Sequence, residues 1–86
     1  MHEASVMNAL MRRIEAVARA EKAKRVTGVA VRLGALSHMS PVHFREHFDV
    51  SSAGTLSAGA ALEIEVSENA ADPDAEEIRL ISVEVE

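Results

Sequence analysis

The chain has 86 residues, 48% of them apolar, and carries 14 acidic against 9 basic side chains for a net charge of −5. That length holds one modest core, the composition is too apolar for a disordered chain, and the acidic balance argues against a general nucleic-acid binder, which needs a basic face. With no cysteine, disulfides, thiolate zinc sites and thiol nucleophiles are excluded together.

No apolar run approaches the roughly 20 residues that span a bilayer, and no apolar leader follows a basic start. The chain therefore reads as soluble, unprocessed and compatible with the cytoplasm. Phe44 and Phe48 are the only aromatics of the Phe, Tyr and Trp type, so the rest of the core must be aliphatic. The charges are segregated. Arg12, Arg13, Arg19, Lys22, Lys24 and Arg25 cluster near the start, while the stretch from Glu63 to Glu86 is acidic apart from Arg79. The basic stretch is either a solvated helix face or a docking patch for an acidic partner, with Arg12 and Arg13 at its head.

Met1-His2-Glu3 opens the chain. Where Met1 is the true start, its amine and the His2 amide nitrogen close a five-membered ring on a metal, and the His2 amide and Nδ1 close a six-membered one. Three nitrogens then lie in one plane with the Glu3 oxygen nearby, a donor set suited to Ni(II) and Cu(II). The amine and imidazole titrate not far from neutrality, so such a site loads near neutral pH and empties in acid. The commonplace alternative is a frayed end without function.

From Glu3 to about Lys22 the apolar period is helical. Val6, Leu10, Ile14 and Val17 form a stripe that Met7, Met11 and Ala18 widen. Glu15 and Arg19 are an i,i+4 pair in the favourable order. Val26 to Leu33 alternates and is rich in β-branched residues, which predicts a strand with Thr27, Val29, Val31 and Leu33 on its core face. Ser40-Pro41 opens a second helix, with Ser as N-cap and Pro at the first helical position. Met39 and Phe44 are placed for a hydrophobic staple, and Gly54 can take the left-handed conformation just past the helix end near Ala53.

Leu62, Ile64 and Val66 alternate with Glu63, Glu65 and Ser67 as a half-buried strand. Residues 68–77 read as an exposed acidic loop around Asp72-Pro73-Asp74. Ile78 to Val85 is the last strand, and its two apolar phases require a bulge near Leu80-Ile81. The order is α-β-α-β-β. It predicts one domain over 1–86 with an α+β fold: two helices packed on one face of a three-stranded sheet, mixed or antiparallel. The short final loop makes antiparallel pairing of the last two strands easy.

Enzyme signals are weak. There is no nucleophile elbow, phosphate-binding glycine loop or Cys-x-x-Cys pair. His43 and His47 stand i,i+4 on the second helix, the spacing of a helical metal clamp, beside Glu46; the pair is otherwise solvated helix surface, and a His43/His47 enzyme is a distant reading. His38 lies in the loop before that helix.

These motifs together resemble a family. Met1-His2-Glu3-Ala4-Ser5-Val6 resembles the opening of the HypA/HybF proteins, nickel metallochaperones of hydrogenase and urease maturation. Ala23-Lys24-Arg25-Val26-Thr27-Gly28-Val29, Leu33-Gly34-Ala35-Leu36-Ser37, Gly54-Thr55-Leu56, Gly59-Ala60-Ala61-Leu62-Glu63-Ile64-Glu65 and the ending Ile78 to Glu86 are similar as well. The blocks cover nearly the whole chain except 68–77.

The resemblance implies a metallochaperone, not an enzyme, carrying Ni(II) at an amino-terminal site around His2. Glu3 is then implicated in nickel transfer or partner contact. It also implies handover with the help of a HypB-like GTPase to an apo nickel enzyme such as a hydrogenase large subunit. Two departures narrow it. The family places a zinc module with two Cys-x-x-Cys pairs between the last two strands, where this chain has only the acidic loop, so no zinc is expected. Members can also carry Asp where Ser40 stands, and His38, two residues earlier, is a further candidate ligand. The rival reading is a non-catalytic interaction module that kept the fold and lost metal delivery, its sign-segregated surface serving docking or self-association.

Overall fold

A computed structural model of the chain describes residues 3–86, with side chains from Ser5 onward. Helix α1 spans Glu3–Ala20, strand β1 Val26–Leu33, helix α2 Pro41–Ser52, strand β2 Ala61–Val66 and strand β3 Ile78–Val85. The predicted element order is therefore the observed one, and the sheet is mixed.

β1 is the central strand, in the order β2-β1-β3. It pairs parallel with β2 (Val29 opposite Leu62, Val31 opposite Ile64) and antiparallel with β3 (Val29 opposite Val83, Leu33 opposite Ile78). The antiparallel pairing of the last two strands is thus not what forms: β2 and β3 lie on opposite edges, separated by β1. The reason is burial. β1 bears no charge before Arg32 and buries Val26, Val29, Val31 and Leu33, so it gains most from a neighbour on each side. β2 and β3 both bear charge and tolerate an edge. Joining β1 to a parallel neighbour requires a crossover, and α2 provides it.

Both helices cover one face of this sheet. α1 packs against β3 and α2, and α2 packs against β2. The buried stripe of α1 is Met7, Leu10, Met11, Ile14 and Ala18, whereas Val17 is 37% exposed. The stripe is therefore centred about one residue away from the Val6-Leu10-Ile14-Val17 line, and the residues that seemed to widen it are its middle. The apolar arc is wide enough to fit either way, and contact with the sheet decides. α1 ends in a Schellman-type turn: the Ala23 amide donates to the Ala18 carbonyl at 2.9 Å and the Lys22 amide to the Arg19 carbonyl at 3.0 Å. Lys22 takes the left-handed φ of 53° that this ending requires.

α2 starts as its sequence dictates. The Ser40 hydroxyl accepts from the His43 amide at 3.1 Å, Pro41 fills the first turn, and Gly54 has φ +77° just past the end. Phe44 and Phe48 are 0% and 1% exposed with ring centroids 6.4 Å apart, and Met39 packs against the same cluster.

Register shifts between β1 and β3 mark two bulges. Ala30 faces Ser82 and Val31 faces Leu80, so Ile81 is the extra residue on β3, where the two apolar phases require it. Thr27 is the extra residue on β1, which lets Val26 turn inward beside Val29. The sheet face away from the helices is polar. There Arg32 pairs with Glu65 at 3.3 Å, and the Glu84 carboxylate covers Gly28.

Candidate metal centre

Residues 67–77 carry the chain from β2 across the end of β1 to β3, and a ladder of hydrogen bonds holds them there. The Ser67 amide donates to the Leu33 carbonyl at 2.9 Å, the Gly34 amide to the Glu77 carbonyl at 2.9 Å, and the Leu36 amide to the Ala75 carbonyl at 2.7 Å. Ala75 is 4% exposed. The contact is possible only because position 34 has no side chain: a Cβ there would lie 2.2 Å from the Ala75 carbonyl oxygen and 2.8 Å from that of Glu77. The segment is also stiffened from within. Asn69 Oδ1 accepts from the Ala71 amide at 3.1 Å and Asp72 Oδ1 from the Asp74 amide at 2.8 Å, both turns that Asx side chains favour. Arg79 donates to Asp74 Oδ2 at 2.7 Å. The acidic stretch is therefore a seated loop with a buried anchor, a role that only Gly34 signals in the sequence.

Seated this way, the loop forms one wall of an open groove of about 960 Å³. The first turns of α1, with Ser5, Val6 and Ala9, form a second wall, and Leu36 to Met39 form the third. His38 is exposed and holds a left-handed φ of 58°, uncommon for a side chain with a Cβ though more accessible to His than to most. The fold thus brings His38 to the groove into which the start of α1 opens. Met1 and His2 lie outside the described residues, as does the side chain of Glu3, whose backbone begins α1.

The other site candidates fall elsewhere. Ser40 Oγ is used as the cap of α2. Arg13 borders the groove, and Arg12 is exposed on α1. His43 and His47 stack on the outside of α2, their ring centroids 4.7 Å apart. Among the described residues, no group of three or more His, Asp or Glu side chains is arranged to hold a metal ion.

The groove has one perturbed acid. Glu77 is raised above the ordinary carboxylate value. The main cause is a side-chain hydrogen bond with Asp74, followed by the Asp74 charge and desolvation, while Arg79 and Arg13 oppose the shift. A raised acid keeps its proton in the folded chain at pH values where the unfolded chain has lost it. Folding is therefore disfavoured as pH rises through that window, and the penalty is relieved as pH falls. Melting E77Q beside the unaltered protein from acid to neutral pH should show the variant slightly more stable above the window and equal below it. Superimposable curves throughout would refute the coupling.

Comparison with known proteins places this architecture. The model of the HypA family, described as hydrogenase/urease nickel incorporation, metallochaperone, matches residues 1–85. The hydrogenase maturation factor HypA of Archaeoglobus fulgidus is 42% identical over 66 residues, covering 77% of this chain and 60% of that protein. The HypA of Methylocella silvestris is 36% identical over 66 residues, covering 77% and 58%. The chain thus spans about three-fifths of the length of these curated relatives. In three dimensions, the solution structure of the Ni metallochaperone HypA from Helicobacter pylori aligns over 99% of this chain and 97% of that one, with TM-score 0.81 and 24% identity, and so shares the fold. No described helix is long and apolar enough to cross a membrane. With the family model covering nearly every residue and the fold repeated in a solved structure, the chain belongs to the HypA family of metallochaperones for nickel incorporation.

Proposed function

We propose that this protein is a cytoplasmic nickel-binding accessory protein that supplies Ni(II) to an apo nickel enzyme such as a [NiFe]-hydrogenase large subunit, with a HypB-like GTPase assisting. The ion is held at the amino end. The free Met1 amine, the His2 amide nitrogen and His2 Nδ1 give three donors in a plane, a geometry that favours Ni(II) over ions preferring tetrahedral sites. Glu3 adds a carboxylate that can ligate or pass the ion on, and His38, on the third wall of the groove, is a further candidate ligand. Arg12 and Arg13, with Glu3, are the partner-facing side chains. The domain covers residues 1–86, with loop 68–77 in place of the cysteine-bearing module, so no zinc is needed.

The observation that carries this reading is the position of His38. The loop before α2 and the first turns of α1 share one groove, so the His38 imidazole lines the same groove as Ser5 and Val6 near the start of α1. Ser40, engaged in capping, needs no part in it. Calorimetric titration with Ni(II), on protein whose Met1 amine is free, tests it. His2→Ala should lose most of the affinity, and His38→Ala should weaken binding by roughly tenfold, or about 1.4 kcal/mol. Equal affinity in the unaltered protein and His2→Ala would leave the fold as an interaction module without metal delivery.

A further inference from the structure

We infer that the outer edge of β3 is a docking surface for a second copy of this chain. The two β3 strands pair antiparallel about a two-fold axis that passes between Ile81 and Ser82. In the order β2-β1-β3 both outer strands have a free edge among the described residues, and the edge of β3 is the one that complements itself.

The backbone bonds at the two ends of β3 fix which of its groups face outward. The Glu77 carbonyl accepts from the Gly34 amide at 2.9 Å, and the Glu86 amide donates to the Arg25 carbonyl at 3.0 Å. Glu77 and Glu86 thus turn their main-chain groups toward β1 and its lead-in. Successive residues of a strand alternate. Counted from Glu77, Ile78 and Leu80 turn their amide and carbonyl outward; counted back from Glu86, Val85 and Val83 do. The extra residue Ile81 reconciles the two counts. The same four side chains pack against the core.

That pattern is symmetric about the bulge. Laid antiparallel on a second copy, Ile78 falls opposite Val85 and Leu80 opposite Val83, each pair exchanging both N–H···O bonds. Between them Arg79 falls opposite the second copy's Glu84, at a non-hydrogen-bonded position where facing side chains come closest. Arg79 Nη1 donates to Asp74, and the guanidinium has further donors for the second carboxylate. A bulge ordinarily spoils an edge for pairing. Here the two bulges meet at the axis and each cancels the other's shift, so both copies keep their helices on the same face of the joined sheet. Ile81, 49% exposed, stands at that axis.

The edge of β2 is closed to the same pairing. The Ser67 amide donates to the Leu33 carbonyl, so by the same alternation Leu62, Ile64 and Val66 face outward. Arg45 already occupies the Leu62 carbonyl at 3.2 Å. A two-fold pairing about Ile64 would also set Glu63 against Glu65 of the second copy, like charges directly opposite. Pairing through β3 has a consequence for the groove as well. Ile78 and Arg79 line it, so each copy brings its Val85 and Glu84 to the rim of the other's groove.

Sedimentation equilibrium of the full chain in a metal chelator, from roughly micromolar to roughly millimolar protein, tests the pairing without any contribution from nickel. A reversible dimer is expected. Arg79→Glu and Glu84→Arg should each raise its dissociation constant by roughly tenfold, because each sets like charges opposite one another on both sides of the axis. The double variant R79E/E84R should restore it, and melting curves of dilute protein should show all three folded. Amide exchange of the unaltered protein needs no substitution: the amides of Leu80 and Val83 should gain protection as the dimer forms, while those of Leu62 and Ile64 should not. A chain that stays monomeric throughout, a dimer whose Leu80 and Val83 amides gain nothing, or a dimer indifferent to both single substitutions would overturn the proposal.

Discussion

Gly34→Ala should destabilise the fold by about 3 kcal/mol, at the upper end of what overpacking a tight site costs. In a domain of this size that lowers the melting temperature by roughly 12–24 °C. The new methyl group would stand 2.2 Å from the Ala75 carbonyl oxygen. Both atoms belong to backbone, so no side chain can swing away. To relieve the contact, the 67–77 segment must lift off β1. That breaks the amide bonds from Gly34 to Glu77 and from Leu36 to Ala75 and exposes Ala75, now 4% accessible. Urea unfolding measures the cost. Amide exchange in the variant should show lost protection at Gly34 and Leu36, while α1 and α2 keep theirs until global unfolding. A variant as stable as the parent would mean that the loop is not seated on β1.

Phe44→Ala should cost about 3–5 kcal/mol, the range for emptying a buried aromatic site. Small domains have about 5–15 kcal/mol in total, so the variant should be partly unfolded at physiological temperature. Phe44 is 0% exposed, stacks on Phe48, and joins a cluster that includes Ile14 of α1 and Leu33 of β1. Phe48 is the only other Phe, Tyr or Trp of the chain and is itself fixed in the core, so the space left by Phe44 falls to neighbouring aliphatic side chains to fill. The loss also reaches the site, because α2 fixes the residues that precede it, and His38 with Met39 sits immediately before the Ser40 cap. Val42→Ala, at a position 69% exposed on the same helix, should change stability by less than about 0.5 kcal/mol. If the two substitutions cost the same, α2 does not anchor the core.

Why some features were legible in the sequence, and others not, has a physical basis. The start of α2 was legible because Ser40 and Pro41 act within one turn, on the His43 amide and on φ. The β3 bulge was legible because Ile78 and Leu80 stand out of phase with Val83 and Val85, and an inserted residue, Ile81, lets both pairs pack against the core while Ile81 itself stays 49% exposed. Strand order was not legible. A short loop between β2 and β3 is compatible with a hairpin, and only the burial of β1 on both edges rules it out. The centre of the α1 stripe was settled by the sheet, since Met7 and Val6 are equally apolar along the helix.

The candidate site divides the same way. The chelating chemistry of Met1-His2-Glu3 is local and can be read from three residues. So can the clamp spacing of His43 and His47, though not the 2.9 Å between their nitrogens. The convergence of His38, the start of α1 and the acidic loop on one groove is tertiary. It depends on Gly34 admitting a backbone segment distant in sequence, and the sequence marks that contact only by a glycine at a strand end.

The most direct test of nickel capture at the amino end is a two-dimensional amide spectrum of the protein, its Met1 amine free, as the first equivalent of Ni(II) is added. The amides of Glu3 to Val6 and of His38 should shift or broaden first, ahead of those around His43 and His47, and His2→Ala should abolish that early response. If the first equivalent instead acts at His43 and His47 alone, or acts identically in His2→Ala, the amino end does not hold the ion.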